Sequence, residues 1–470
     1  MQGFPADHFL SLPRPGVSHL GPAPDTSTLA AHDFDVDVRT GFMPPQPPPA
    51  HLSDEYRVWE DILEEATTKR LKLGDVSDAQ AAGESAAWRR RVEEMPISPT
   101  ELLTTSETML RRAHLVLTFI LHFYVHTLPP VEDLANSPIY IPRSLATPLL
   151  QVSANLLLPP VLTYSDNVLY NWDLSPAPKP FASINLEHLH SQTTFTGTSD
   201  EEEFYLTSSR IELVGVNALA LLRAIEDEAF VGDLLSLRCI SDYLAQLAVI
   251  IEEMTNVLSD VRKGCEPATF YHQIRPWFRG QMPGGRPWIF EGAETQPTEL
   301  SGPSAGQSSI IHVLDVFLGV DQFSHVHTGR ADAPGTKKSA QTGEPAQKET
   351  PFLERMKAYM PRHHRAFLNH LKASQRPLRN IVEAEPSTAS EEEREVRKEL
   401  RTSYNESVTA LKKFRDAHIK IATLYIINQA RKSQPLLGED PPVAKGTGGT
   451  DLVPFLKGVR DKTASAVLKN

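Results

Sequence analysis

Apolar residues recur at helical spacing along most of this chain. YRVWEDILEEATTKRL (from Tyr56) and SPTELLTTSETMLRRAHLVLTFILHF (from Ser98) carry the pattern early, and Ser98-Pro99 predicts a helix start with Ser as cap and Pro in the first turn. IELVGVNALALLRAI (from Ile211) continues it. The run from Leu234 to Arg262 places Ile240, Leu244, Leu247, Ala248, Ile251 and Leu258 on one face. A last long helix is predicted from Ser390 to Gln429, with Leu400, Tyr404, Val408, Leu411, His418, Ile421 and Tyr425 along its inner stripe. No stretch alternates apolar and polar residues for long enough to predict a strand, so the fold class is all-α.

Breaks in this pattern suggest the domain organisation. Residues 1–50 are Pro-rich with almost no periodicity, an arm that either stays mobile or drapes over the rest. The Pro-, Ser-, Thr- and acid-rich stretch 171–203 separates two helical blocks, which predicts a small helical domain over 51–190, a linker at 191–203 and a large helical domain over 204–470. Residues 328–350 are low-complexity and read as a surface insertion.

Composition narrows the function classes. At 470 residues, 40% hydrophobic, the chain can bury a sizeable core. A net charge of -12 argues against nucleic-acid and anionic-membrane partners, both of which favour a basic face. Cys239 and Cys265 stand alone, which excludes a disulfide framework and a Cys-pair zinc site and fits a reducing, cytoplasmic setting. The apolar run Ala113 to Leu128 carries three histidines and ends at Pro129-Pro130, so it reads as a buried helix.

Candidate chemistry is sparse. In MPRHHRAFLNH, from Met360, Phe367, Leu368 and Leu371 mark the apolar face of a helix; at ~100° per residue His364 projects into that face and His363 lies at its edge. His418 points inward in the same way. An inward histidine without companion ligands suits a cofactor that brings its own equatorial donors, as haem does. GPSAG, from Gly302, matches a hydrolase nucleophile pattern around Ser304, but no buried strand precedes it. In FYHQIRPWFRG, from Phe270, Phe270, Tyr271 and Trp277 with Arg275 could form an aromatic wall with a carboxylate clamp. KGTGGTD, from Lys445, reads as a connector or as a lid over a ligand.

Taken together, the blocks VDVRTGFMPPQPP, YRVWEDI, LPPVLTYSDNVLYNW, FYHQIRP, GPSAGQSSIIHVLDVFLG, MPRHHRAFL, AHIKIATLYI and KGTGGTDLVPFLK resemble, in order, the indoleamine 2,3-dioxygenase family. The resemblance implies haem b between a small and a large helical domain, with His364, in the Met-Pro-x-x-His-Arg block, as the proximal iron ligand. It implies Arg275 as the partner of a substrate carboxylate, with Phe270 and Tyr271 near the indole; many relatives have a second Phe at the latter position. Tyr164, Asn167 (often Cys in the family), Val168, Ser208 and Ala305 would line the pocket, and Thr447 and Gly448 would belong to a closing loop. The implied reaction is cleavage of the indole C2–C3 bond of L-tryptophan by O2, giving N-formylkynurenine. It would need an unidentified reductant and no side-chain acid or base, in a monomer. The competing readings are a haem-binding relative with little turnover and a serine hydrolase built on Ser304.

Overall fold

The computed structural model describes residues 34–175, 184–282, 284–321, 352–433 and 452–469. The first 33 residues and the 328–350 insertion lie outside them. The helices in chain order are α1 (Arg57–Thr68), α2 (Ala79–Glu94), α3 (Glu107–His126), α4 (Arg143–Leu156), α5 (Ser199–Val231), α6 (Leu234–Asp260), α7 (Ser309–Phe317), α8 (Phe352–Lys357), α9 (Arg362–Lys372), α10 (Leu378–Glu383), α11 (Glu391–Ala422), α12 (Asn428–Lys432) and α13 (Leu452–Ser465). Four three-residue strands accompany them. β1 (Ile139–Ile141) pairs in parallel with β4 (Trp288–Phe290), and β2 (Trp172–Leu174) pairs antiparallel with β3 (Leu189–Ser191). The protein is all-α in class, as the periodicity predicts.

Local chemistry explains where the helices begin. Ser106 Oγ accepts from the backbone N–H of Met109 and opens α3, eight residues beyond the expected start at Ser98; residues 101–105 form a 3-10 turn instead. Thr198 caps α5 and Ser390 caps α11, each through the N–H of a glutamate three residues on, Glu201 and Glu393. The acidic run at 199–203, expected in the linker, is therefore the first turn of α5, where carboxylates complement the helix dipole. Gly232, at φ +70°, ends α5 in the left-handed region that favours glycine.

Two large apolar clusters form the interior. One gathers α1–α4 with side chains from 261–300, among them Phe270, Trp277 and Phe290. The other packs α5, α6, α7, α9 and α11 together. A smaller cluster around Tyr164, Trp172 and Leu206 lies with them, and Met43 of the N-terminal segment is part of it. Thus residues 34–50, counted in the Pro-rich arm, drape over the body, with Val36, Phe42 and Met43 buried. Among the described residues one helical run, Leu234–Lys263, is long and apolar enough to cross a bilayer. Its Leu237, Ile240, Leu244, Leu247, Ile251 and Met254 are core residues, while Asp242, Glu252 and Glu253 are exposed, the pattern of an amphipathic core helix.

Candidate active site

Among the described residues three helical segments widen into π-turns: Ser165–Leu169, Phe270–Ile274 and Thr423–Ile427. A π-turn closes residue i to i+5 and frequently marks a functional site. In the second, the N–H of Arg275 bonds the carbonyl of Phe270, which stacks the ends of the F-x-x-x-x-R motif one above the other. All three turns contribute to the wall of one internal space: Asn167 and Val168 from the first, Phe270 from the second, Tyr425 and Ile426 from the third.

That space consists of two overlapping cavities, partly open to solvent, of about 1110 Å³ and about 1140 Å³ with their open mouths included, sharing Tyr164, Phe204, Ser208, Ala305, Gly306 and His418. The first is lined additionally by Phe270, Arg275, Phe278, Pro303 and Ser304. The second runs past Ile211, Leu258, Ser308, His312, Asp315, Phe414 and Arg415. Of the sequence-derived site residues, Tyr164, Asn167, Val168, Ser208, Phe270, Arg275 and Ala305 all face the first cavity.

Two expected residues are not on this wall. Tyr271 does not line the cavity; its ring is half-buried, with the Arg275 guanidinium carbon 5.7 Å from its centroid, so it flanks the cation from behind. The π-turn sets this facing, because it aligns Phe270 with Arg275 and turns the next residue aside. Thr447 and Gly448 lie outside the described residues.

His364 points inward from α9 as expected: it is fully buried, its Nδ1 lies 2.9 Å from Ser309 Oγ, and the Phe42 ring packs edge-on at 4.8 Å. Its Nε2 has no hydrogen-bond partner and lies 3.9 Å from Asp35 Oδ2. It lines neither cavity. His363, half-exposed, pairs with Glu107 at 3.2 Å. The histidine that both cavities share is His418, on the last turns of α11.

His418 makes no hydrogen bond among the described residues. Burial, followed by the Arg415 charge, lowers its pKa to about 4, so it presents a neutral ring. Arg415, one turn earlier, is fixed by a buried bidentate pair with Asp315 of α7 at 2.5 and 2.6 Å and also reaches Thr463 of α13. Across the space, Arg275 is almost wholly buried, which brings its pKa down to about 10 and leaves it cationic at neutral pH.

Behind Tyr164 stands a group the sequence reading missed. Glu212 of α5 is buried; its Oε1 accepts from the Tyr164 hydroxyl at 2.9 Å and from Ser308 Oγ at 2.7 Å, while Oε2 has no partner. Burial without a neighbouring cation raises its pKa to about 7. The only signal in the sequence was its spacing, one helical turn after Ser208.

The 302–306 loop owes its glycines to packing. A Cβ on Gly302 would meet the carbonyl oxygen of Phe278 at 1.8 Å, and one on Gly280 would meet that of Leu300 at 1.9 Å. The loop therefore lies directly on the backbone that follows Arg275. Ser304 Oγ accepts from the Gly306 N–H at 3.2 Å, and no histidine bonds it among the described residues, so the triad geometry of a serine hydrolase is absent there.

The family model for indoleamine 2,3-dioxygenase matches residues 30–466. The chain belongs to that family. Indoleamine 2,3-dioxygenase of Saccharomyces cerevisiae is 33% identical over 478 residues, covering 93% of both chains. Indoleamine 2,3-dioxygenase 1 of Rattus norvegicus is 30% identical, covering 96% of this chain and 98% of its own. A 6-hydroxytryptophan 2,3-dioxygenase of Fusarium equiseti is 28% identical over 93% of this chain and 97% of its own. Dioxygenase and oxidoreductase thus describe the family at the level its members share.

Proposed function

We propose that this chain is a haem-dependent dioxygenase that cleaves the C2–C3 bond of the indole ring of L-tryptophan with O2 to give N-formylkynurenine. The observation that carries this reading is a fully buried imidazole, His364, whose Nε2 has no hydrogen-bond partner, in a chain whose cavity brings a buried cation, Arg275, together with apolar and small side chains. The donor set suits haem b. One neutral imidazole with no companion metal ligands fits an iron already held by four porphyrin nitrogens, and no cluster of three or more His, Cys, Asp or Glu side chains that could hold a bare ion occurs among the described residues. His364, whose Nδ1 meets Ser309 while its buried Nε2 has no hydrogen-bond partner, would hold the iron, and His418 is a second buried imidazole on the cavity wall.

Haem bound here would supply the activation of dioxygen, the chemistry no side chain in the site can perform. The chain does the rest. Arg275 binds the amino-acid carboxylate, a charge-assisted pairing made by a guanidinium that is itself almost wholly buried. Phe270, Tyr164 and Val168 pack against the indole, and Ala305 and Gly306 leave room for a flat ring to lie close to the backbone. Holding the ring in one orientation with its C2–C3 edge presented to the reacting centre is the positioning contribution to rate. No side chain is required as a general acid or base.

The test is anaerobic reduction of the haem-loaded protein followed by admission of oxygen with L-tryptophan. Formation of N-formylkynurenine in amounts exceeding the enzyme is expected. A haem spectrum that responds to tryptophan without product formation would overturn the catalytic reading.

A further inference from the structure

His122, in the interior of α3, is fully buried and takes no part in the proposed reaction. Its two ring nitrogens hold two different stretches of backbone. Nδ1 lies 2.6 Å from the carbonyl oxygen of Trp277, and the N–H of Leu162 donates to Nε2 at 3.3 Å. A single neutral tautomer, protonated on Nδ1, satisfies both contacts. Burial lowers the pKa of the ring to about 4, so this form persists through the working range.

The two tethered stretches are the two sides of the candidate substrate site. Trp277 follows Arg275 by two residues within the 3-10 turn Arg275–Phe278, and Leu162 precedes Tyr164 by two residues at the entrance to the first π-turn. One imidazole therefore links the backbone of the cation to the backbone of the aromatic wall. We propose that His122 is a positioning residue that sets the spacing between Arg275 and Tyr164, and so selects ligands whose carboxylate and indole ring must be held at once.

The surroundings favour a fixed strut. The Trp277 ring stacks on Phe195 at 5.4 Å, 5° from parallel, and Trp288 meets the His122 ring edge-on at 5.9 Å. Two more histidines of α3 each support one side: His126 Nε2 donates to the Arg279 carbonyl at 2.8 Å, and His114 lies 2.7 Å from Asp166 Oδ1 through Nδ1 and 3.2 Å from the Pro159 carbonyl oxygen through Nε2. Only His122 among these three holds both sides.

Two substitutions separate the tethers. In His122→Asn the amide nitrogen takes the place of Nδ1 and keeps the bond to Trp277 while Leu162 loses its acceptor. In His122→Gln the amide oxygen takes the place of Nε2 and keeps Leu162 while Trp277 loses its donor. Hydrogen exchange on the full chain should rise about fivefold or more over 161–169 in the Asn variant alone, and over 275–281 in the Gln variant alone. Identical behaviour of the two variants, whether unchanged or equally loosened, would overturn the proposal.

The second readout uses ligands and rests on the tryptophan reading. L-tryptophan and tryptamine, which lacks the carboxylate, are compared by dissociation constant. The Gln variant should lose about tenfold or more of the preference for tryptophan, whereas in the Asn variant both ligands weaken together and the ratio holds. A ratio unchanged in both variants would overturn the specificity role, since a residue that merely stabilises the fold lowers the melting temperature without altering it. If the wild-type protein shows no preference for tryptophan, the functional reading falls, and the exchange experiment still decides the positioning role.

Discussion

Glu212→Gln should make the stability of this protein less dependent on pH. In the fold, burial pushes the Glu212 pKa from its ordinary 4.5 up to about 7. As pH rises from 4.5 towards 7 the unfolded chain gives up this proton while the native protein keeps it. Native stability therefore falls through that window and levels off above it. At ~1.36 kcal/mol per pH unit, this difference between the folded and unfolded chain corresponds to about 3 kcal/mol. Glutamine can still accept from Tyr164 and Ser308 through its oxygen but carries no charge at any pH. In urea unfolding, variant and wild type should lie within about 1 kcal/mol of each other at pH 5, and the variant should be the more stable by about 2–3 kcal/mol at pH 8.5. A difference between the two proteins that is the same at both pH values would show that Glu212 does not titrate in this window.

Arg275→Ala should weaken L-tryptophan binding by about 2–4 kcal/mol, about 30- to 1000-fold, with tryptamine affinity nearly unchanged, as spectral titration of both ligands would show. Asp315→Asn removes one charge from the buried pair with Arg415 and should cost about 3–5 kcal/mol in denaturant unfolding. Gly302→Ala must displace the Phe278 backbone, so a loss of about 2 kcal/mol or more is expected. Gly83→Ala on α2, where an added Cβ meets nothing within 4 Å, should instead gain about 0.5–1 kcal/mol. Equal effects of the two glycine changes on unfolding would contradict the packing argument.

The helices that can be read from the sequence are those with one apolar face and one polar face. α6 and most of α11 fall where the spacing places them, because the packing of α6 against both α5 and α11 needs that periodicity. The start of α5 escapes such a reading: its first turn, SDEEE, is all polar and is set by the Thr198 cap and by the buried Glu201 carboxylate, which accepts from the N–H groups of Phe195 and Thr196. The strands escape it too, since three residues are too few to show alternation.

At the site, residue identity was legible and direction was only partly so. Tyr164, Asn167, Val168, Ser208, Phe270, Arg275 and Ala305 converge as their blocks suggest. Tyr271 does not, because the facing of a residue inside a π-turn cannot be derived from 100° per residue. His364 and His418 both point inward, and helical geometry cannot say what each meets there. Phe42 and Ser309 meet His364, both distant in sequence. Around His418 the long α11 passes the cavity, where His418 and Ile421 of its stripe face space in place of side chains.

The most direct test of the account compares haem in His364→Ala and His418→Ala, both purified under the same conditions with added haem. His364→Ala should retain little haem or lose the spectrum of a histidine-ligated iron, and added imidazole should restore it by entering the space left at position 364. His418→Ala should keep a ligated spectrum. A His364→Ala protein with a wild-type haem spectrum, or loss of iron ligation confined to His418→Ala, would contradict the assignment.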